Sequence, residues 1–398
     1  MGLIVQKFGG TSVGSTSRIK EVIKIIISEI NKGNKVVVVV SAMAGVTNAL
    51  ATLCREVAKL NDNSHMREYD AVVSSGEIVA SGLVALALQN SGFLAHSMQG
   101  WQLPVNTNED FREALVNEIV CDKLYQLLNN NVIPIITGFQ GVSKNGFVTT
   151  LGKGGSDTTA ALVAAAIKAD RCDIYTDVDG LYSADPRLVG EAWKIDKISL
   201  EEMMTMSSAG AKVLHPRAAL AALKYKFNMR ILSSFTGEEG TLITQNITED
   251  MEKRTITAIT SDKNLLGIEI YHDPVKLNDI TSYFSELAFR VQDLQYGRNI
   301  MNFITNLSEQ NKIEKALIAL KDRGTITGFD VTNNISTVTL VGYGIKNDTK
   351  LVWKIIQLLE KHGIHAKSID ASEIALSILL NDEYTEKVVK ILHDLVEK

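Results

Sequence analysis

Residues 35–42 read KVVVVVSA, five consecutive valines behind one lysine. A strand with one wet face alternates apolar and polar residues, and this one does not. Branching at Cβ favours extended backbone, so the run reads as a strand whose two faces are both covered. Covering both faces of a strand calls for helices on either side of a mostly parallel sheet. The flanking sequence supplies them. LIVQKF (3–8) is a second buried strand and closes on Gly9-Gly10, and SRIKEVIKIIISEINKG (17–33) carries apolar residues at helical spacing with Gly33 at its end. LAHSMQ (94–99), VIPIITGF (132–139) and DIYTDVDGLY (173–182) continue the alternation. The expectation is an α/β domain over residues 1–247, a three-layer fold whose ligands lie beyond the carboxyl ends of its strands.

Past GTLITQNI (240–247) the pattern changes. NLLGIEIYHD, LNDITSYFSELAF, MNFITNL and EKALIALK outline a β-α-β-β-α module, expected over residues 265–330. STVTLVGYG, LVWKIIQLLEKHG, ALSILL and EKVVKILHDLVE repeat it over 335–398, with 254–262 as a candidate completing strand. Each is a small α+β ferredoxin-like unit.

Composition narrows the partners. The formal charge of −5 argues against nucleic acid or an anionic membrane as the main partner. Three scattered cysteines, Cys54, Cys121 and Cys172, form neither a disulfide framework nor a metal spacing. The start, MGLIVQKFGG, has too short an apolar run for a signal peptide, so a cytoplasmic protein is expected.

Three glycine-rich turns follow strands: KFGGTSVGS (7–15), SAMAGVT (41–47) and TLGKGGSDTTA (150–160). None is a Walker A loop, because Gly146 and Gly152-Lys153 are spaced too widely, and no GxGxxG follows a strand. Each alone could be an ordinary capped βα turn. Together, with Lys7 and Lys153 beside them, they favour anion binding by backbone N–H groups and helix N-termini. Asp157 reads either as a complement to a helix dipole or as the group that orients phosphate-binding lysines. Asp177, Asp179 and Asp185 fail the EF-hand spacing, since Leu188 stands where the twelfth ligand should be. The loop they occupy suits a nucleotide's base and ribose. His215, before Pro216, reads as structural rather than as a ligand.

VQKFGGTSV, SSGEIVAS, TGFQG, TLGKGGSDTTA, YTDVDGLYSADPR and GAKVLHPRA, in that order, resemble the aspartate kinases of the amino acid kinase family, which carry two C-terminal ACT modules. The resemblance implies ATP-dependent phosphorylation of the β-carboxylate of L-aspartate. The substrate carboxylate is then its own nucleophile and needs no general base. By motif position Lys7, Asp157 and Lys212 are the catalytic set, with Gly9 and Gly10 amides under the phosphates. Thr176, Asp177, Tyr182, Asp185 and Arg187 would surround the nucleotide. Ser41, Thr47, Glu77, Lys153, Gly154, Gly155 and Ser156 would hold aspartate, Glu77 taking its α-ammonium. Magnesium would arrive on ATP, with no protein-built metal site. The resemblance also points to a lysine or threonine effector at the ACT modules, and the exposed edge of each small sheet leads to an expected homodimer held by residues 265–398.

Two departures from the family pattern stand out. Lys153 replaces the usual arginine, so a point charge replaces a bidentate fork. HDPVKLNDI (272–280) lacks the Pro-Gly pair of the usual first effector loop, which makes feedback control less secure than catalysis. Rival readings are an amino acid kinase for glutamate, acetylglutamate, carbamate or UMP, and an effector-sensing regulator without catalysis. The tandem tail and VQKFGGTSV disfavour the first. Lys7, Asp157 and Lys212 disfavour the second.

Overall fold

A computed structural model describes residues 2–211, 213–245, 255–287, 289 and 291–397. It divides into two compact units. The first comprises residues 1–182, 193–208 and 212–253, the second 183–192, 209–211 and 254–398.

The first unit is built on an eight-stranded sheet. Its strands are β1 (Leu3–Phe8), β2 (Lys35–Val40), β3 (Ala95–Met98), β4 (Ile133–Thr137), β5 (Arg171–Thr176), β6 (Lys197–Ser199), β7 (Asn228–Ser233) and β8 (Thr241–Thr244), in the spatial order β6-β8-β7-β5-β1-β2-β4-β3. The neighbours from β7 to β3 all pair in parallel, and β8 is antiparallel to β7. Val37 to Val40 are fully buried, as the valine run requires. The helix Thr16–Asn31 covers one side with Ile19, Val22, Ile23 and Ile26, the i, i+3, i+4, i+7 stripe of its sequence. Ser15 caps it, its side chain accepting from the Arg18 N–H at 3.2 Å. The helical stretch Asn63–Asn90 is apolar and long enough to cross a membrane, yet Ala80, Val84, Ala85 and Leu88 pack into the core with the valines.

Parallel pairing aligns the strand ends. Phe8 lies opposite both Val40 and Tyr175, Val40 opposite Thr137, and Thr176 opposite Ser233. The turns after β1, β2, β4 and β5 therefore open from one edge of the sheet.

The second unit holds a six-stranded sheet. Its strands are β9 (Ala258–His272), β10 (Gln292–Tyr296), β11 (Ile300–Asn306), β12 (Ile326–Val341), β13 (Ser368–Ala371) and β14 (Ala375–Asn381), in the order β10-β11-β9-β12-β14-β13. Both expected modules are present as β-α-β-β-α patterns, but β9 and β12 are far longer than one module needs. The residue 265 boundary falls inside β9, and the 330–335 boundary falls inside β12. Leu265–Tyr271 of β9 pairs with β11, and Ile335–Val341 of β12 pairs with β14. The modules are two ends of one sheet. The boundary expected at 247 lies outside the described residues. The first module's core joins Leu266, Ile268, Ile270, Met301 and Phe303 to helix residues Ile280, Ile313 and Leu317.

Candidate active site

Lys7 is the penultimate residue of β1, and its Nζ lies 2.6 Å from Oδ1 of Asp157. Both side chains are largely buried, 10% and 13% exposed. Asp157 stands in the first turn of the helix Gly155–Ala166, whose cap Gly154 has the left-handed φ of 71°. The helix thus points its N-terminal amides and an acid-held lysine at the same strand edge, an arrangement suited to anions.

The turn after β1 is tightly packed. A Cβ on Gly10 would lie 2.8 Å from the Ala42 carbonyl oxygen, so only glycine fits. The Gly9 N–H, expected under a phosphate, instead donates to the Tyr175 carbonyl at 3.0 Å. The sheet spends that amide. The first and second turns are tied by Ala44 N–H donating to the Gly10 carbonyl at 3.1 Å and Ser41 N–H to the Phe8 carbonyl at 3.1 Å.

Glu77 belongs to the same corner. Its helix Ser75–Asn90 abuts the second turn closely enough that a Cβ on Gly76 would lie 2.8 Å from Ala42 Cβ. The Ala42 N–H donates to Glu77 Oε1 at 3.0 Å, while the buried Oε2 has no partner among the described residues. Burial pushes the carboxyl up to about 7, with the Ala42 hydrogen bond opposing that shift. Thr47 is half-buried in the first turn of the helix Val46–Val57, which Gly45 caps at φ 83°.

Lys153 is exposed, and no described residue pairs with it. Gly155 and Ser156 are packed under the turn after β4: added Cβ atoms would lie 2.8 Å from Phe139 at Gly155 and, at Gly138, 2.6 Å from Ser156. Phe139 itself is held at φ 69°, its N–H donating to Thr159 Oγ1 at 3.1 Å. His215 caps the helix Pro216–Tyr225, and its ring lies so close to Gly154 that a Cβ there would clash with it.

At the end of β5 the Thr176 hydroxyl donates to Asp177 at 3.0 Å, and the Tyr182 hydroxyl donates to Asp179 at 3.0 Å. Asp185 and Arg187 fall in 183–192, part of the second unit, where Arg187 donates to Asp185 at 2.6 Å. Lys212 lies outside the described residues.

Residues 2–233 match the amino acid kinase family. The chain is 47% identical to an aspartokinase of Rickettsia felis, covering 99% of each, and 36% identical to one of Bacillus sp. over its full length and 98% of that relative. The chain belongs to the aspartokinases.

Among solved structures, Escherichia coli aspartokinase III in complex with aspartate and ADP (R-state) matches at a TM-score of 0.86 and 26% identity, over 99% of each chain. The same enzyme in complex with lysine and aspartate (T-state) matches at 0.75 and 25%. Within the aspartokinase framework, the motifs do not single out Asp70, Phe139 or Arg217. Phe139 and Arg217 do carry a signal, inside TGFQG and GAKVLHPRA, whereas Asp70 lies outside every motif.

Proposed function

We propose that this protein transfers the γ-phosphoryl group of ATP to the β-carboxylate of L-aspartate, giving 4-phospho-L-aspartate. That product is the entry to lysine, threonine and methionine synthesis in the cytoplasm. The observation that carries the reading is the buried Lys7–Asp157 pair facing a glycine-capped helix N-terminus. Phosphoryl transfer needs little covalent help from a protein and much charge neutralisation. A lysine fixed by an acid offers that without reorganisation.

In this reading Lys7 and the Gly10 amide meet the phosphates, and Lys212 takes the second lysine position. Thr176, Asp177 and Tyr182 line the nucleotide. The unpartnered Oε2 of Glu77 accepts the α-ammonium of aspartate, beside Ser41 and Thr47. Lys153, with the Gly154, Gly155 and Ser156 turn, faces a substrate carboxylate. Asp157 is already neutralised by Lys7, so the donors here fit an Mg²⁺ ion coordinated mainly by phosphate and water, whose part is to offset phosphate charge.

A hydroxamate assay with ATP and either aspartate or glutamate tests the reading. Turnover with aspartate is expected, and turnover with glutamate alone would overturn it. Lys153→Arg should lower the aspartate KM by a few-fold, roughly the gain of a second parallel hydrogen bond, with the ATP KM unchanged. A rise in the ATP KM alone would move Lys153 to the nucleotide.

Among the described residues the outer strands β10 and β13 each have an unpaired edge, which invites pairing with a second copy. A homodimer through the second unit, with a lysine or threonine effector bound there, is the matching expectation. Sedimentation as a monomer at micromolar concentration would count against it.

A further inference from the structure

Two charged side chains that the reaction does not use are both committed to main chain around the turn that carries Lys153. Asp70 is fully buried on the helix Asn63–Val73. It accepts from the Thr150 N–H at 2.7 Å, the Thr150 hydroxyl at 2.8 Å and the Arg112 N–H at 2.9 Å. Arg217, half-buried, donates to the Leu151 carbonyl at 2.6 Å and the Ala114 carbonyl at 3.0 Å. The acid collects N–H groups and the guanidinium collects carbonyls from the same two segments, 112–114 and 150–151. The segments also bond directly, Ala114 N–H to the Thr150 carbonyl at 2.9 Å. Gly152, at φ 75°, leaves no room for a Cβ, which would lie 2.9 Å from the Arg112 carbonyl oxygen.

Asp70 and Arg217 do not pair with each other. Burying two charges on backbone groups is an expensive way to stabilise a loop, and apolar packing would serve stability as well. What charge-assisted bonds add is a fixed direction for each peptide they hold. Leu151 is clamped one residue before Gly152 and two before Lys153. From this geometry we infer that Asp70 and Arg217 are positioning residues for aspartate specificity, setting where the Lys153 ammonium and the Gly154–Ser156 amides stand. This rests on the reading of Lys153 as the contact to a substrate carboxylate.

Steady-state kinetics of the full chain test it, with Lys153→Ala, Asp70→Asn, Arg217→Lys, Thr150→Val and the Asp70→Asn/Lys153→Ala double variant. An Asn amide keeps a neutral oxygen for the Thr150 and Arg112 N–H groups, which share one carboxylate oxygen, but loses the charge and turns its NH2 to the Thr150 hydroxyl, loosening the turn. Asp70→Asn is expected to raise the aspartate KM about 10-fold and to leave the ATP KM within about twofold, because misplacing a binding group acts on the ligand it contacts. With Lys153 already removed, the same change should add less than about twofold, the mark of coupled residues. Thr150→Val removes only the hydroxyl bond and should move the aspartate KM in the same direction. It and Arg217→Lys decide the matter if Asp70→Asn does not fold. Equal rises in both KM values, or a fully additive double variant, would overturn the inference and leave Asp70 and Arg217 as scaffold. An unchanged aspartate KM in Lys153→Ala would overturn it one step earlier, at the lysine. Wild-type chain without aspartate turnover would sink the functional reading itself.

Discussion

Lys7→Met should lower kcat with aspartate and ATP by roughly 10²–10³-fold while the protein remains folded, the usual cost of losing one preorganised charge contact. Methionine keeps much of the stem that packs at the end of β1 and removes only the ammonium. The substitution leaves Asp157 without its 2.6 Å partner, so some loss of stability accompanies the loss of rate. Lys7→Arg separates the two effects. It retains a cation for Asp157 but places a larger, planar group at a largely buried position in place of the compact ammonium. Circular dichroism and kcat are the measurements. Near-normal turnover in Lys7→Met would remove Lys7 from the phosphate site.

Glu77→Gln should lower kcat/KM for aspartate by about 10–100-fold, the worth of a charged hydrogen bond to the α-ammonium. The wild-type pH profile gives a second readout. With the carboxyl pushed up to about 7, kcat/KM should rise with pH below that value and level off above it. Glu77→Gln should flatten that limb. The stability effect has the opposite sense. The folded-state pKa is raised above the ordinary glutamate value of 4.5, so the folded state holds this proton where the unfolded chain has lost it. Stability therefore falls as pH rises from about 4.5 to about 7, by roughly 3 kcal/mol in all, and stays lower above that range. The glutamine variant should accordingly melt no lower than wild type at pH ~8. A variant that melts lower there and keeps its aspartate kinetics would make Glu77 a structural residue.

The parts that are legible in the sequence are the ones set by local chemistry. Five valines in a row can only be comfortable between two layers, and four of them, Val37 to Val40, are fully buried in β2. A lysine at a strand end before two glycines has few places to put its ammonium except the turn, and it lies against Asp157. What stays hidden depends on partners far away in the chain. In HMREYDAVV nothing marks Asp70 as other than a polar position on a helix, because its partners lie 42 and 80 residues away. Gly9 reads as a phosphate amide because glycine turns usually free their N–H groups. Its competitor, the Tyr175 carbonyl, comes from a neighbouring strand that no local pattern reveals. The module boundaries at 265 and 330–335 coincide with places where the alternation falters. In the fold these are register shifts between Asp262 and Leu265 and between Leu265 and Gly267, and the strand continues through them.

That continuity has a practical side for anyone dissecting the protein. A protease nick or a truncation near residue 330 would sever β12 within its first third, and neither fragment would carry a complete sheet. Each would show a raw hydrogen-bonding edge several residues long, the kind that recruits other chains. The C-terminal half should consequently resist being expressed as two separate pieces. In amide hydrogen exchange, β9 and β12 should open together, as one cooperative block with a single protection factor along their paired length.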